Sequence, residues 1–210
     1  TDIDFTDSYV AKGPIADMQS SGSPTATPQR VNILRNYGAM GWIGIALQCR
    51  NCTVQDNEYE RPIGGNGADG DYTHVFGSNI TLRHNYFHGA SMTDCNANGG
   101  GCHIDCFQTW NIGNVDNVAN NITIDRNICF NFHEGIIARD TTSGSSGSYS
   151  SHYNWTVTNN IFAHGPIGDS SPWCALFEHV GNVQSYFNVC NDTAGYAYVN
   201  GSSGNHKNNI

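Results

Sequence analysis

The stretch Asn79-Ile80-Thr81-Leu82-Arg83-His84-Asn85-Tyr86-Phe87-His88-Gly89 is the unit from which the chain is built. It returns as Asn121-Ile122-Thr123-Ile124-Asp125-Arg126-Asn127-Ile128-Cys129 and as Asn154-Trp155-Thr156-Val157-Thr158-Asn159-Asn160-Ile161-Phe162. Weaker copies begin at Asp2, Arg30, Asn51 and Asn182. With the closing Asn as position zero, the copies fall at Ser8, Asn36, Asn57, Asn85, Asn127, Asn160 and Asn188, with a partial eighth at Asn209. The gaps are 28, 21, 28, 42, 33, 28 and 21 residues. A period in the twenties with variable insertions is the mark of a solenoid.

Inside each copy two apolar columns alternate with a polar one. Five positions before zero stand Ile3, Val31, Cys52, Ile80, Ile122, Trp155 and Val183. Three before stand Phe5, Ile33, Val54, Leu82, Ile124, Val157 and Ser185. Between them run Asp4, Asn32, Thr53, Thr81, Thr123, Thr156 and Gln184. Strict alternation predicts a strand with one buried face. Position zero follows that strand. Asn tolerates the left-handed backbone and bonds neighbouring main chain. Stacked on itself, it would form an amide ladder. A second strand is expected in each unit, over 42–47, 73–77, 103–110, 135–140, 174–180 and 195–199, with Ile45, Val75, Phe107, Ile136, Leu176 and Tyr196 as its buried column.

With these columns in hand, the chain resembles a right-handed parallel β-helix of the pectate-lyase-like superfamily, over essentially its whole length. The resemblance implies an all-β solenoid of about six to seven coils with an internal Asn ladder, forming a single domain over 1–210. At ~4.8 Å per coil, six coils make a rod on the order of 29 Å long. No amphipathic cap precedes Thr1, and Lys207-Asn208-Asn209-Ile210 repeats Thr158-Asn159-Asn160-Ile161. The ends therefore read as uncapped: either a segment of a longer solenoid, or faces that stack end to end between copies into a filament.

Composition narrows the function. Only 13% of residues are charged and the net charge is -9, with nine Lys plus Arg, so phosphate-driven nucleic-acid binding is not expected. No apolar run approaches ~18 residues, so no membrane span is expected. Eight Cys favour an oxidising, extracellular or cell-surface setting. Cys95 and Cys102 flank a Gly-rich loop and are expected to pair. Cys49 and Cys52 share one bend and are either a disulfide or half of a zinc site, the latter lacking a second ligand pair. Cys129 and Cys190 share a column with Phe162 and read as buried hydrophobes. Sequons stand at Asn51, Asn79, Asn121, Asn154, Asn191 and Asn200. They are either glycosylation sites or simply the Asn and Thr of the repeat.

The strongest chemical constellation is His103-Ile104-Asp105-Cys106-Phe107-Gln108-Thr109-Trp110 followed by His133-Glu134-Gly135-Ile136-Ile137-Ala138-Arg139-Asp140. Aligning Phe107 with Ile136 sets Asp105 beside Glu134 and Trp110 beside Arg139, and one unit later His179 beside Arg139. Two carboxylates ~4.8 Å apart drive each other's pKa apart and suit acid–base work. Asp105, Glu134 and Arg139 are thus the candidate catalytic set, with His103 and His133 assisting. The competing reading is polar residues satisfied at strand corners. The resemblance implies polysaccharide lyases with a Lys or Arg base and calcium carboxylates. Yet the only lysines are Lys12 and Lys207, and the glycosidase signatures of that superfamily are missing. Asp69-Gly70-Asp71 is a candidate calcium pair; no other cofactor is expected. Trp42, Trp110, Trp173, Tyr149 and Tyr153 are candidate sugar platforms. The function expected first is an extracellular structural or surface rod that binds itself end to end into a filament; the alternatives are a carbohydrate-active enzyme, lyase or hydrolase, and a non-catalytic glycan-binding module.

Overall fold

The structure is a computed structural model. It describes residues 2–18, 27–63, 70–96, 103–110, 118–139, 152–165, 172–199 and 201–210, the side chains of 95 and 96 excepted. Among the described residues the chain is all-β apart from the five-residue helix Met92–Asn96. Its strands form a 13-stranded and a 7-stranded sheet. Every strand-to-strand pairing among the described residues is parallel. Successive copies of the repeat pair in register: Ile3 with Val31, Cys52 with Ile80, Ile80 with Ile122, Ile122 with Trp155, and Trp155 with Val183. These large parallel sheets, with one buried face each, are consistent with a parallel β-helix.

The strands differ from the sequence expectation in three ways. The second strand of one unit fuses with the first strand of the next in Ile43–Gln55 and Asp71–Arg83, each 13 residues long. Gly77 makes the passage possible in the latter. Its φ is 110°, and a Cβ there would collide with the carbonyl of Cys49, its register partner. After the first seven position-zero residues comes a separate strand of two or three residues, such as Tyr9–Val10, Tyr86–His88, Ile128–Phe130 and Ile161–Ala163. These make the smaller sheet. The middle residues Phe87, Cys129 and Phe162 are buried. The second strand expected over 73–77 starts two residues earlier, at Asp71.

The second buried column is corrected as well. Ile45 lies opposite Thr73, not Val75, and Ile136 opposite Ala175, not Leu176. The cause is a break in alternation. Residues 71–77 are buried without a break, as are 105–107 and the neighbours Cys174 and Ala175, so a period of two is lost there. Between the sheets pack Phe87 on Phe107 and Phe107 on Phe162, with ring centroids 5.7 and 6.4 Å apart.

The position-zero residues form a continuous buried ladder. Each Nδ2 donates to the Oδ1 of the next: Asn36 to Asn57 (2.9 Å), Asn57 to Asn85 (3.0 Å), Asn85 to Asn127 (2.9 Å), Asn127 to Asn160 (3.0 Å), Asn160 to Asn188 (2.8 Å) and Asn188 to Asn209 (2.9 Å). The same Oδ1 also accepts the backbone N–H of the preceding rung, as Asn127 does for Asn85 at 3.0 Å. The left-handed backbone is not at position zero, however. It falls one residue earlier, at Asp7, Arg35, Asp56, His84, Arg126, Asn159, Phe187 and Asn208, with φ of 53–59°. That bend is what turns the Asn side chain inward.

A second ladder runs on the outside. Asn79 donates to Asn51 (3.0 Å), Asn121 to Asn79 (3.0 Å), Asn154 to Asn121 (2.9 Å) and Asn182 to Asn154 (2.5 Å). All five have φ near 55°. Here the side chain serves the left-handed position that Asn tolerates.

Three disulfides occur among the described residues: Cys49–Cys52, Cys106–Cys129 and Cys174–Cys190. The last two replace the reading of Cys129 and Cys190 as plain hydrophobes; both tie the small sheet to the large one. The Cys95–Cys102 pair and Asn200 lie outside the residues whose side chains are described, as do most of the insertions. Disulfides point to an oxidising environment. No helix among the described residues is long and apolar enough to cross a membrane.

Candidate active site

Three acids stack on adjacent strands of the large sheet. Asp105 pairs in register with Glu134. Gln108 pairs with His74, which sets Asp105 level with Asp71 one strand away. Beyond Glu134 the same column continues to Trp173, and before Asp71 to Ile43. Two strand-to-strand steps of ~4.8 Å thus bring three carboxylates and their histidines into one place.

The site is tightly joined. Asp71 Oδ1 accepts the Asp105 N–H (2.6 Å), and Asp105 Oδ1 accepts the Glu134 N–H (3.2 Å). Asp71 Oδ2 lies 2.8 Å from His74 Nε2. The His103 ring bridges the other two acids: Nδ1 is 3.1 Å from Asp105 Oδ2, and Nε2 is 3.0 Å from Glu134 Oε2. Those ring contacts are at ion-pair distance. Neither Asp105 Oδ2 nor Glu134 Oε2, both buried, receives a well-directed hydrogen bond. The His103 ring is stacked on His133, 5.3 Å away and 10° from parallel. His133 is fixed in turn, its Nδ1 accepting the Ile104 N–H at 2.9 Å.

Exposure sorts the roles. The Asp71 and Asp105 side chains are 0% exposed, Glu134 15% and His103 33%. Only His103 and Glu134 present a face to solvent. Burial alone would lower the His103 pKa, but its contacts to Asp105 and Glu134 outweigh that and push it up to about 11. Burial raises the Asp105 carboxyl well above the usual range. For Glu134 burial works in the same direction, yet His103 and Asp105 outweigh it and hold its pKa down. Environment thus drives the two carboxyls apart.

No protein-family model, curated protein or solved structure matches the chain. Function therefore has to be argued from the site itself.

Of the candidate set, Asp105 and Glu134 come together and Arg139 does not. Arg139 lies five residues further along its strand, ~17 Å from Glu134. Its Nε donates to Glu178 at 2.8 Å, and Glu178, not His179, is its register partner. The same one-residue slip that sets Ile136 opposite Ala175 rather than Leu176 brings Glu178 opposite Arg139, and His179 follows the end of the strand with φ of 56°. Asp69 of the calcium pair and Tyr149 lie outside the described residues. Asp71 instead joins Asp105. The signal for that was present: Asp71-Tyr72-Thr73-His74 and Asp105-Cys106-Phe107-Gln108 align residue for residue, both opening on Asp. It was hidden by reading Asp71 with Asp69.

Aromatic rings flank the column. Trp110 stands edge-on to His74 at 4.8 Å, and Trp42, 42% exposed, at 6.1 Å. Trp173 neighbours Glu134 by register. The sequons separate into two groups. Asn51, Asn79, Asn121 and Asn154 belong to the outer ladder, where Asn79, Asn121 and Asn154 spend their Nδ2 on the neighbouring Asn. Asn191 is exposed and ends a short strand.

Proposed function

We propose that the chain is a right-handed parallel β-helix of the pectate-lyase-like kind, about six to seven coils in one domain, secreted, and acting on a glycan by acid–base cleavage. Glu134 is the carboxylate that meets the substrate. His103 orients it, and Asp105 holds His103 from behind as a positioning residue. The observation that supports this reading is the in-register pair Asp105 and Glu134 joined through one imidazole. A purely structural solenoid gains nothing from sequestering the Asp71 and Asp105 carboxylates beside a third acid, because burying charge costs several kcal/mol per ion; such clusters concentrate at functional sites. Trp42 and Trp173, at opposite ends of the acid column, suit stacking on a linear sugar chain laid along the axis.

The test is turnover of neutral and uronate-containing polysaccharides, following both new reducing ends and unsaturated products, which separates hydrolysis from β-elimination. Glu134→Gln should lose about 100-fold or more in rate on whichever glycan is cleaved, with the fold intact by circular dichroism. Absence of turnover by the wild-type chain across the panel, or full activity in Glu134→Gln, would remove the reading.

A second reading is favoured by a different observation, the two uninterrupted amide ladders. We propose it as the alternative: an extracellular structural β-helix that stacks end to end between copies into a filament, glycosylated at Asn191, whose amide lies outside the ladders. Electron microscopy and sizing of purified protein test it; a monodisperse monomer at all concentrations counts against the filament.

A further inference from the structure

The donor geometry around Asp105 points to a divalent transition-metal site formed by Asp71, His103 and Asp105: we propose that these three residues bind Zn²⁺ or Mn²⁺. One ligand atom from each lies within 4.8 Å of the others, a spacing that small side-chain rotations close to the ~3.4 Å between tetrahedral ligands held ~2.0–2.2 Å from one ion. The second observation is the fully buried Asp105 carboxylate. Its Oδ1 is occupied by the Glu134 N–H, while Oδ2 faces His103 and receives no well-directed hydrogen bond. A buried carboxylate oxygen left in that state is costly, and an ion satisfies it.

The surroundings have the form that metal sites need. His103 would ligate through Nδ1, the nitrogen facing Asp105. Its Nε2 lies 3.0 Å from Glu134 Oε2, which places a carboxylate behind the ring, on the side where metal-bound histidines carry their supporting acid. The ring plane is set by stacking on His133. Asp71 is held by His74 and by the Asp105 N–H, both leaving lone pairs on its oxygens. Two carboxylates balance the charge of one divalent ion. Three protein ligands leave a fourth position open, as in catalytic rather than structural sites. The imidazole in a three-ligand set selects against Ca²⁺ and Mg²⁺, which take six or more oxygens. The inference stands on ligand geometry and is read without turnover, so it survives or fails independently of the glycan assignment.

The experiment is isothermal titration calorimetry of the chelator-treated chain with ZnCl₂, MnCl₂ and CaCl₂, paired with thermal unfolding in each salt. One equivalent of Zn²⁺ or Mn²⁺ should bind and raise the melting temperature, with Ca²⁺ at least tenfold weaker. Asp105→Asn and His103→Ala should each abolish the binding. Glu134→Gln, which touches only the ligand's far nitrogen, should retain one site with affinity lowered about 10- to 100-fold, and it guards against reading misfolding as loss of a ligand. No binding by the wild-type chain, binding undiminished in Asp105→Asn and His103→Ala, or a preference for Ca²⁺ would each overturn the assignment.

Discussion

A single buried amide shows how much each Asn contributes. Asn127 Nδ2 donates to Asn160 and to the Leu82 carbonyl, and its Oδ1 accepts both the backbone N–H and the Nδ2 of Asn85. Asn127→Ala leaves two donors of Asn85 and the Leu82 carbonyl without these partners in a dry interior. At ~1–3 kcal/mol for each unsatisfied group, the loss should be about 3 kcal/mol or more, measured by urea denaturation. The residue before the ladder carries the opposite opportunity. Phe187 holds φ of 59° and is 59% exposed, where the equivalent copies use Asp, Arg, His or Asn. Phe187→Gly should stabilise the fold by up to about 1 kcal/mol, since the left-handed conformation is strained for a bulky side chain. The ladder itself was legible in the sequence, because one residue type recurs at one position. The site of the left-handed bend was not, because no one residue type recurs there: Asp, Arg, His, Asn and Phe all occupy it.

The same scale sets a pH dependence. Burial raises the Asp125 pKa, but hydrogen bonds from Asn159 Nδ2 (3.0 Å), Arg126 (2.6 Å) and Thr158 Oγ1 (2.9 Å) outweigh it and bring the net value down. A carboxyl with a folded pKa below its unfolded value of ~3.9 contributes stability above that value and loses it as pH falls through the folded pKa. Stability should therefore decline below about pH 4, and Asp125→Asn should flatten part of that decline in denaturation curves taken at pH 5 and pH 3.

At the scale of elements, the repeat strand was readable because alternation survives along it, while the strands carrying the site were readable only in part. There the buried runs 71–77 and 105–107 interrupt the period of two, so Thr73 took the place expected of Val75. The pairing of Asp105 with Glu134 came through correctly because the Phe107–Ile136 register was right. Arg139 was drawn in by shared strand membership, although a side chain five residues away on an extended strand cannot reach the same point. Asp71 was missed because its true neighbours arrive from 34 and 63 residues further along the chain, as the Asp71–Asp105 bond and the Asp105–Glu134 pairing show. The disulfides also act between elements. Cys106–Cys129 closes a separation of 23 residues, while Cys49–Cys52 closes three. Loop-closure entropy assigns about 3 kcal/mol to the first and less to the second. Replacing Cys106 and Cys129 together by Ala should cost that amount in denaturation experiments, with a smaller loss for the Cys49 and Cys52 pair.

For the whole molecule, stability is distributed along the stack of layers. Each layer contacts only its neighbours, so the energetics approach a one-dimensional sum of layer and interface terms. Burial follows that logic. Val54, Leu82, Ile124 and Val157 in the middle layers are 0% exposed, whereas Ile3 is 43% exposed and every residue of the strand Gly204–Lys207 is exposed. The buried amide ladder couples the middle layers from both sides, while Asn209 has a ladder partner only in Asn188 among the described residues. Opening should therefore begin at Ile3–Thr6 and Gly204–Lys207 and proceed inward, rather than in one concerted step. Native-state hydrogen exchange read amide by amide tests this. The slowest exchange should fall in Asp71–Arg83, Ala119–Asp125 and His152–Thr158, with free energies of opening that decline toward both terminal strands. Asn127→Ala should split the protected block in two, lowering protection most for the amides of Asn85 and its neighbours in the adjoining layer. Uniform protection across all layers, falling uniformly in the variant, would instead mean that the stack behaves as one cooperative unit and that the ladder does not transmit stability locally.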